Sequence, residues 1–357
     1  MLRLPAEWER QAAVMLTWPH ADTDWAPHLP EVEAVYRQIA AVVAAHQQLL
    51  VVCRDPAHRD RVRAQLAAAG IGPAATGLAI APSEDTWARD HGPITVLDDA
   101  GPPRVVDFRF NGWGGKHPAA KDDRITARLH AGGWLGAAML VRSPLVLEGG
   151  AIDTDGGGTL LAVRRTLLDS ERNPGWDQGR IEQELSNQLG TERYLWLEHG
   201  LLDGDDTDGH IDTLARFCGP DLICHVSAHP RASDAEKRSL AGLQEELRAL
   251  RRSDGSAYRL VELPAPCPIV GASGKPQPAS YANFLIINGA VLMPVYADPA
   301  DGPAAKCLMA VFPGRRVLAV DCRPLIRQGG SLHCITMQLP ALVAADWSSA
   351  ARGPTAH

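Results

Sequence analysis

Apolar positions along the chain follow two rhythms. In four segments they recur every three to four residues and are flanked by stop signals, which predicts helices at Val32 to His46, Asp60 to Ala69 before Gly70, Trp176 to Leu189 before Gly190, and Ser233 to Arg252. The last opens on a capping box, Ser233 with Glu236, and sets Leu240, Leu243, Leu247 and Leu250 on one stripe, the pattern of a helix laid on a core. The second rhythm is short, β-branched and bounded by turn residues. It predicts strands at Gln48 to Cys53, Ile94 to Leu97, Val105 to Phe110, Thr159 to Val163, Leu214 to Phe217, Phe284 to Ile287, Ala290 to Val295, Val317 to Asp321 and Ser331 to Met337. Asn288-Gly289 lies between two apolar runs and predicts a hairpin turn. Strands outnumber helices about two to one, helices are interspersed singly, and no Pro/Ser-rich linker divides the chain. The expectation is one compact α/β domain over residues 1–357, with no clean internal sequence repeat.

Composition narrows the function classes. An apolar share of 45% and a charged share of 22% are those of a globular chain with a sizeable core. The formal net charge is -7, with Lys and Arg scattered, which argues against a nucleic-acid groove and suits a small cationic ligand. Glu7, Glu9 and Arg10 interrupt the opening segment where a signal peptide needs an apolar core. No run of about 18 apolar residues occurs, so a cytoplasmic protein with no membrane partner is expected. Seven cysteines, at 53, 218, 224, 267, 307, 322 and 334, form no Cys-x-x-Cys pair. That fits neither a disulfide framework nor a structural zinc site, so reduced and mostly buried thiols are expected.

Four stretches place polar residues where core logic would put apolar ones. Glu84 to Pro93 packs three acids, Arg89, His91 and Trp87 ahead of a strand. Such a stretch is either a solvated loop or a carboxylate held beside an aromatic wall, suited to a flat cation. Gly209-His210-Ile211-Asp212 follows an acidic run; if extended, it points His210 and Asp212 to one face. Leu147-Glu148-Gly149-Gly150 ends an apolar run with an acid and two glycines that let another group approach closely, or else marks a simple turn. Gly329-Gly330-Ser331-Leu332-His333-Cys334-Ile335 carries the fourth. On a regular strand His333 and Cys334 look to opposite faces, so His333 is a poor base for Cys334 and is expected to support or pack. The distant His210 is the better partner for a thiol nucleophile. The same His210 and Asp212 would serve a metal-dependent hydrolase, and a non-catalytic protein that binds a flat cation would use the same pocket.

Taken in order, these motifs resemble those of the agmatine deiminases, in the guanidine-modifying superfamily that also holds arginine and peptidylarginine deiminases. The likeness runs from Pro5-Ala6-Glu7-Trp8-Glu9 and Trp18-Pro19 with Asp24-Trp25, through Asp85 to Asp90 and Phe110 to Lys116, to Leu147-Glu148-Gly149-Gly150 and Arg172-Asn173-Pro174. It continues through Gly209 to Asp212, Tyr281-Ala282-Asn283-Phe284 and Gly329 to Thr336. The resemblance implies a pentein fold, a five-bladed pseudo-symmetric β/α propeller forming a single domain, with no metal or organic cofactor and with homodimeric assembly. It also implies Cys334 as nucleophile, His210 as general acid/base, and Asp90 and Asp212 as carboxylates on the guanidinium. Glu148, Asn283, Trp87 and Trp113 are implied as further substrate-binding residues. The sequence departs from the family in reading Gly-Gly-Ser-Leu-His-Cys, where Gly-Gly-Gly-Asn-Ile-His-Cys is frequent, and in Met337, where Gln is usual. Among guanidines, an arginine substrate would need a cation for its α-carboxylate, and Arg109 and Lys116 are the nearest in sequence to the aromatic-rich segment. Agmatine brings only an amine, which suits the surplus of acids, so it is the expected substrate, with arginine or peptidyl-arginine as alternatives.

Overall fold

The computed structural model describes residues 1–343 and Trp347. Nineteen strands and nine α-helices lie among the described residues, joined by short 3₁₀ turns. The strands group by a pairing order that recurs. Ile94–Asp98 runs antiparallel to Arg104–Arg109, which runs parallel to Met139–Val146. Antiparallel then parallel pairing repeats in Ile152–Thr154, Thr159–Val163 and Arg193–Leu197. It repeats again in Ala215–Gly219, Leu222–Val226 and Arg259–Leu263, and in Leu285–Ile287, Ala290–Val295 and Arg316–Asp321. In the fifth sheet Thr336–Pro340 pairs antiparallel with Gln11–Thr17, which pairs parallel with Gln48–Cys53 and so on to Thr76–Ile80. That sheet joins the two ends of the described chain.

Each parallel pair needs a crossover, and helices supply it. Leu29–Ala44 links Gln11–Thr17 to Gln48–Cys53. In the same way Gln178–Leu189 links Thr159–Val163 to Arg193–Leu197, and Asp234–Ala249 links Leu222–Val226 to Arg259–Leu263. The continuous apolar run Leu49 to Cys53 follows from this, because a strand paired on both sides and covered on both faces buries its side chains on either face. Local chemistry sets the helix ends. Asp55 and Asp177 accept the N–H groups of His58 and Arg180, and Gly190 closes its helix at φ 68°. Leu240, Leu243 and Leu247 face the core as the stripe predicts, whereas Leu250 is the residue that ends the helix. Ser233 caps Glu236, but the Glu236 carboxylate turns outward to the Asp203 N–H, so only half of the box forms.

The strands Gln48–Cys53, Thr159–Val163 and Ala290–Val295 have the predicted bounds, and the Asn288-Gly289 turn joins Ile287 to Ala290. Gln11–Thr17, Leu222–Val226 and the helix Asp301–Val311 were not expected. Two expectations at the motifs are corrected. Residues 331–335 are a turn, and the strand begins only at Thr336. The backbone there is committed elsewhere: the His333 N–H goes to Asn283, the Cys334 carbonyl takes the Arg89 N–H, and the His333 carbonyl takes the Thr336 N–H. Likewise His210 precedes a 3₁₀ turn, Ile211–Thr213, rather than lying in an extended run, since its carbonyl accepts both the N–H and the hydroxyl of Thr213. Among the described residues no helix is long and apolar enough to cross a membrane, and the seven cysteines are all unpaired.

Candidate active site

The four polar stretches meet. Asp90 sits in a single helical turn, Ala88–His91, which is tied to the thiol-bearing turn by the Arg89 N–H bond to the Cys334 carbonyl, 3.1 Å. Its Oδ1 accepts the Gly150 N–H at 3.1 Å and its Oδ2 the Trp113 indole N–H at 3.0 Å. Trp113 holds a left-handed backbone, φ 56°, an unfavourable conformation for a bulky residue that places its indole over Asp90. Gly150 is the pivot of the cluster. A Cβ there would fall 2.6 Å from His210 Nδ1, 2.8 Å from Asp90 Oδ1 and 3.2 Å from Asp212 Oδ2, so only a bare backbone lets the three side chains converge. Gly330 does the same for Trp87, whose ring passes 2.2 Å from where a Cβ would stand. Asn283 anchors the thiol turn: its Nδ2 lies 3.3 Å from Cys334 Sγ and its Oδ1 accepts the His333 N–H at 2.9 Å.

Charge is concentrated and dry. His210 is buried, and its ring nitrogens make no hydrogen bond; Nδ1 lies 3.6 Å from Asp90 and Nε2 3.8 Å from Glu148. Burial opposes its charge, but Asp90, Glu148 and Asp212 outweigh it and lift His210 to about 9, so it is an imidazolium at neutral pH. For Asp90, burial and then the Asp212 and Glu148 charges win over His210 and raise it to about 6. In Asp212 and Glu148 burial is overcome, by His333 and His210 in the first and by His210 and Arg172 in the second, and both lie below the usual range. The Cys334 thiol is pushed well up by burial and by the carboxylates of Asp212 and Asp90; its Sγ lies 3.8 Å from Asp212 Oδ2. The site therefore sets a neutral thiol beside a cluster of buried carboxylates, a place that favours an incoming cation.

Trp87, Asp90, Trp113 and Cys334 line a cavity of about 490 Å³. His210, Asp212, Glu148 and Asn283 stand behind that wall rather than on it. Glu148 in particular is held by Arg172 Nε at 2.9 and 3.1 Å, so it backs His210 instead of reaching into the cavity. The lining also carries Asp24, Asp85, Asp205 and Asp206, with Lys275 and Arg327 as its cations. Arg109 and Lys116, the cations expected near the pocket, are absent from its lining; Lys116 is bonded to Asp208 and the Asp206 carbonyl. Strand alternation would hold His333 and Cys334 apart, yet both reach Asp212 Oδ2, at 2.7 and 3.8 Å, because a turn imposes no alternation of faces. The residues missed outright are Arg172, Glu7 and Arg89, all buried charges inside matched motifs. Among the described residues no group of three or more His, Cys, Asp or Glu side chains is arranged to hold a metal ion.

Comparison with known proteins agrees over nearly the whole chain. The family described as Porphyromonas-type peptidyl-arginine deiminase matches residues 3–340. The agmatine deiminase of Pseudomonas aeruginosa strain LESB58 is 33% identical over 367 residues, covering 95% of each chain. The solved agmatine deiminase of C. jejuni with substrate bound superposes with a TM-score of 0.86 at 32% identity, over 95% of this chain and 96% of that one. A Porphyromonas gingivalis structure, named provisionally as an arginine deiminase, superposes with a TM-score of 0.86 at 46% identity, over 96% and 99% of the two chains.

Proposed function

We propose that this chain, which belongs to the Porphyromonas-type peptidyl-arginine deiminase family, hydrolyses the guanidinium group of agmatine to N-carbamoylputrescine and ammonia. It is a hydrolase of a carbon–nitrogen bond in a linear amidine. The observation that carries the reading is the convergence of an imidazolium and two carboxylates around Gly150, one of them 3.8 Å from the Cys334 thiol, behind a cavity lined by Trp87, Trp113, Asp90 and Cys334.

The chemistry follows from the charges. Asp90 and Asp212 orient the flat cation by charge-assisted hydrogen bonds, and Asp212 Oδ1, buried and without a partner among the described residues, is available to accept one. Entry of the guanidinium offsets the carboxylates that hold the Cys334 proton, and the thiol releases it to solvent. Cys334 Sγ then attacks the central carbon. His210, already protonated, donates to the departing nitrogen, which leaves as ammonia, and a thiouronium remains on sulfur. The neutral His210 takes a proton from water as its oxygen adds to that carbon; collapse expels the sulfur, which takes up the remaining hydroxyl proton to become the thiol again, and leaves the neutral urea. Glu148, backed by Arg172, holds His210 in place.

The five sheets with one pairing order support the finer reading of the fold as a pentein of five pseudo-symmetric blades in one domain. A cytoplasmic homodimer that supplies putrescine formation belongs to the same reading and rests on the family likeness. The likeness to the P. gingivalis structure favours one other substrate, arginine, whose α-carboxylate would look to Lys275 or Arg327 on the cavity wall. Ammonia release measured across agmatine, arginine, arginine peptides and methylated arginines separates these, and preference for any but agmatine overturns the substrate. Cys334→Ser should lower turnover roughly a thousandfold or more while leaving the fold and agmatine binding intact. Full residual activity would remove Cys334 from its role.

A further inference from the structure

Glu7 lies in the opening segment, far in sequence from the site, yet it is buried against it. Its Oε2 receives Arg216 Nη2 at 2.8 Å and faces His333 Nε2 at 2.7 Å, while its Oε1 receives the Ile286 N–H at 2.7 Å. At the other end of the imidazole, His333 Nδ1 faces Asp212 Oδ2, also at 2.7 Å. Both ring nitrogens thus meet carboxylate oxygens at hydrogen-bond distance. A neutral imidazole has one N–H, so it would set a lone pair against a carboxylate at one end; only the imidazolium donates at both. The other charged and titratable groups facing this chain are Arg89, with Nη2 3.7 Å from Glu7, Asp153, which shares Arg216 with Glu7, and the Cys334 thiol beyond Asp212.

We propose that Glu7 and His333 are positioning residues. Glu7 keeps His333 doubly protonated, and that imidazolium keeps Asp212 ionised and oriented, with Oδ2 occupied and Oδ1 left for the substrate. The chain Glu7–His333–Asp212 acts through Asp212, whose Oδ1 has no partner among the described residues and whose Oδ2 lies 3.8 Å from the Cys334 thiol. It explains why a histidine stands beside the thiol without serving as its base. The kinetic half of this inference rests on the guanidine-hydrolase reading; the protonation state of His333 does not.

The test begins with the unaltered protein. Nitrogen-15 spectra of histidine-labelled protein near pH 8, with His333 identified by its loss in His333→Gln, should show both ring nitrogens protonated; a neutral His333 overturns the proposal. In Glu7→Gln, which keeps size and shape, His333 should become singly protonated. There kcat/KM for agmatine should fall about 10- to 100-fold, and the acid limb of its pH profile should move to higher pH. Glu7→Asp, which keeps the charge, should recover most of the loss. The double variant Glu7→Gln, His333→Gln should be no worse than His333→Gln alone, because the two act as one unit. Independent, multiplying effects, or a Glu7→Gln protein with a lower melting temperature and an unchanged pH profile, would reduce Glu7 to a structural residue. Should Glu7→Gln fail to fold, the wild-type spectrum and Glu7→Asp still decide. If the wild type releases no ammonia from agmatine, the functional reading falls, and the spectrum judges the pair separately.

Discussion

His210 holds its proton through neutral pH because three carboxylates surround it in a dry site, and Asp90 resists ionising for the matching reason. The two values set a window of activity. On the proposed mechanism the free site works with Asp90 ionised and His210 protonated, so kcat/KM for agmatine should rise as pH climbs through about 6 and fall as it passes about 9. A profile lacking both limbs, in initial rates measured from roughly pH 5 to 10, would show that these groups do not govern the reaction. Stability runs with its own signs. His210, raised from 6.5 to about 9, stabilises the fold fully below 6.5 and loses that contribution as pH rises through about 9. Asp90, raised from 3.8 to about 6, favours the fold while protonated and withdraws that as pH rises through about 6.

At the scale of elements, the site is assembled from turns placed beside strands, and its tolerances are those of backbone contact. Gly150 belongs to the 3₁₀ turn Gly149–Ala151. Its replacement by Ala would force a methyl group to within 2.6 to 3.2 Å of the His210, Asp90 and Asp212 side chains. Displacing catalytic groups by about 1 Å costs on the order of a hundredfold, so if these three side chains have the proposed roles, Gly150→Ala should lower kcat/KM by about that factor. Gly101→Ala, where nothing lies within 4 Å, should leave it unchanged; equal activity in both variants would contradict the geometry. The elements themselves were legible to different degrees. Gln48–Cys53 and Gln178–Leu189 announce themselves by β-branched runs and capped periodicity. Residues 331–335 read as strand by composition but fold as a turn, because Asn283 and Arg89, both remote in sequence, take up their backbone groups.

Over the whole molecule the net charge of -7 and the acids Asp24, Asp85, Asp205 and Asp206 on the cavity wall make the approach attractive to a cation. Raising ionic strength from about 0.02 to about 0.5 M shrinks the screening length several-fold, so KM for agmatine should rise several-fold while kcat holds. A KM indifferent to salt would mean that capture depends on the buried carboxylates alone. A chelator should leave activity unchanged if the thiol carries the reaction, and its loss would favour the metal-dependent alternative. The sequence by itself determined the α/β class, the helices and several strands, and the motifs whose order carries the family likeness, since those depend on residue type and near-neighbour spacing. The tertiary structure alone decided that His210 faces Asp90 and Glu148, that Glu148 is taken up by Arg172, and that His333 bridges Glu7 to Asp212 across 326 and 121 residues. Those pairings depend on which chain segments the sheets bring together, and on burial that makes each charge depend on its neighbours, neither of which is written in any local stretch of the chain.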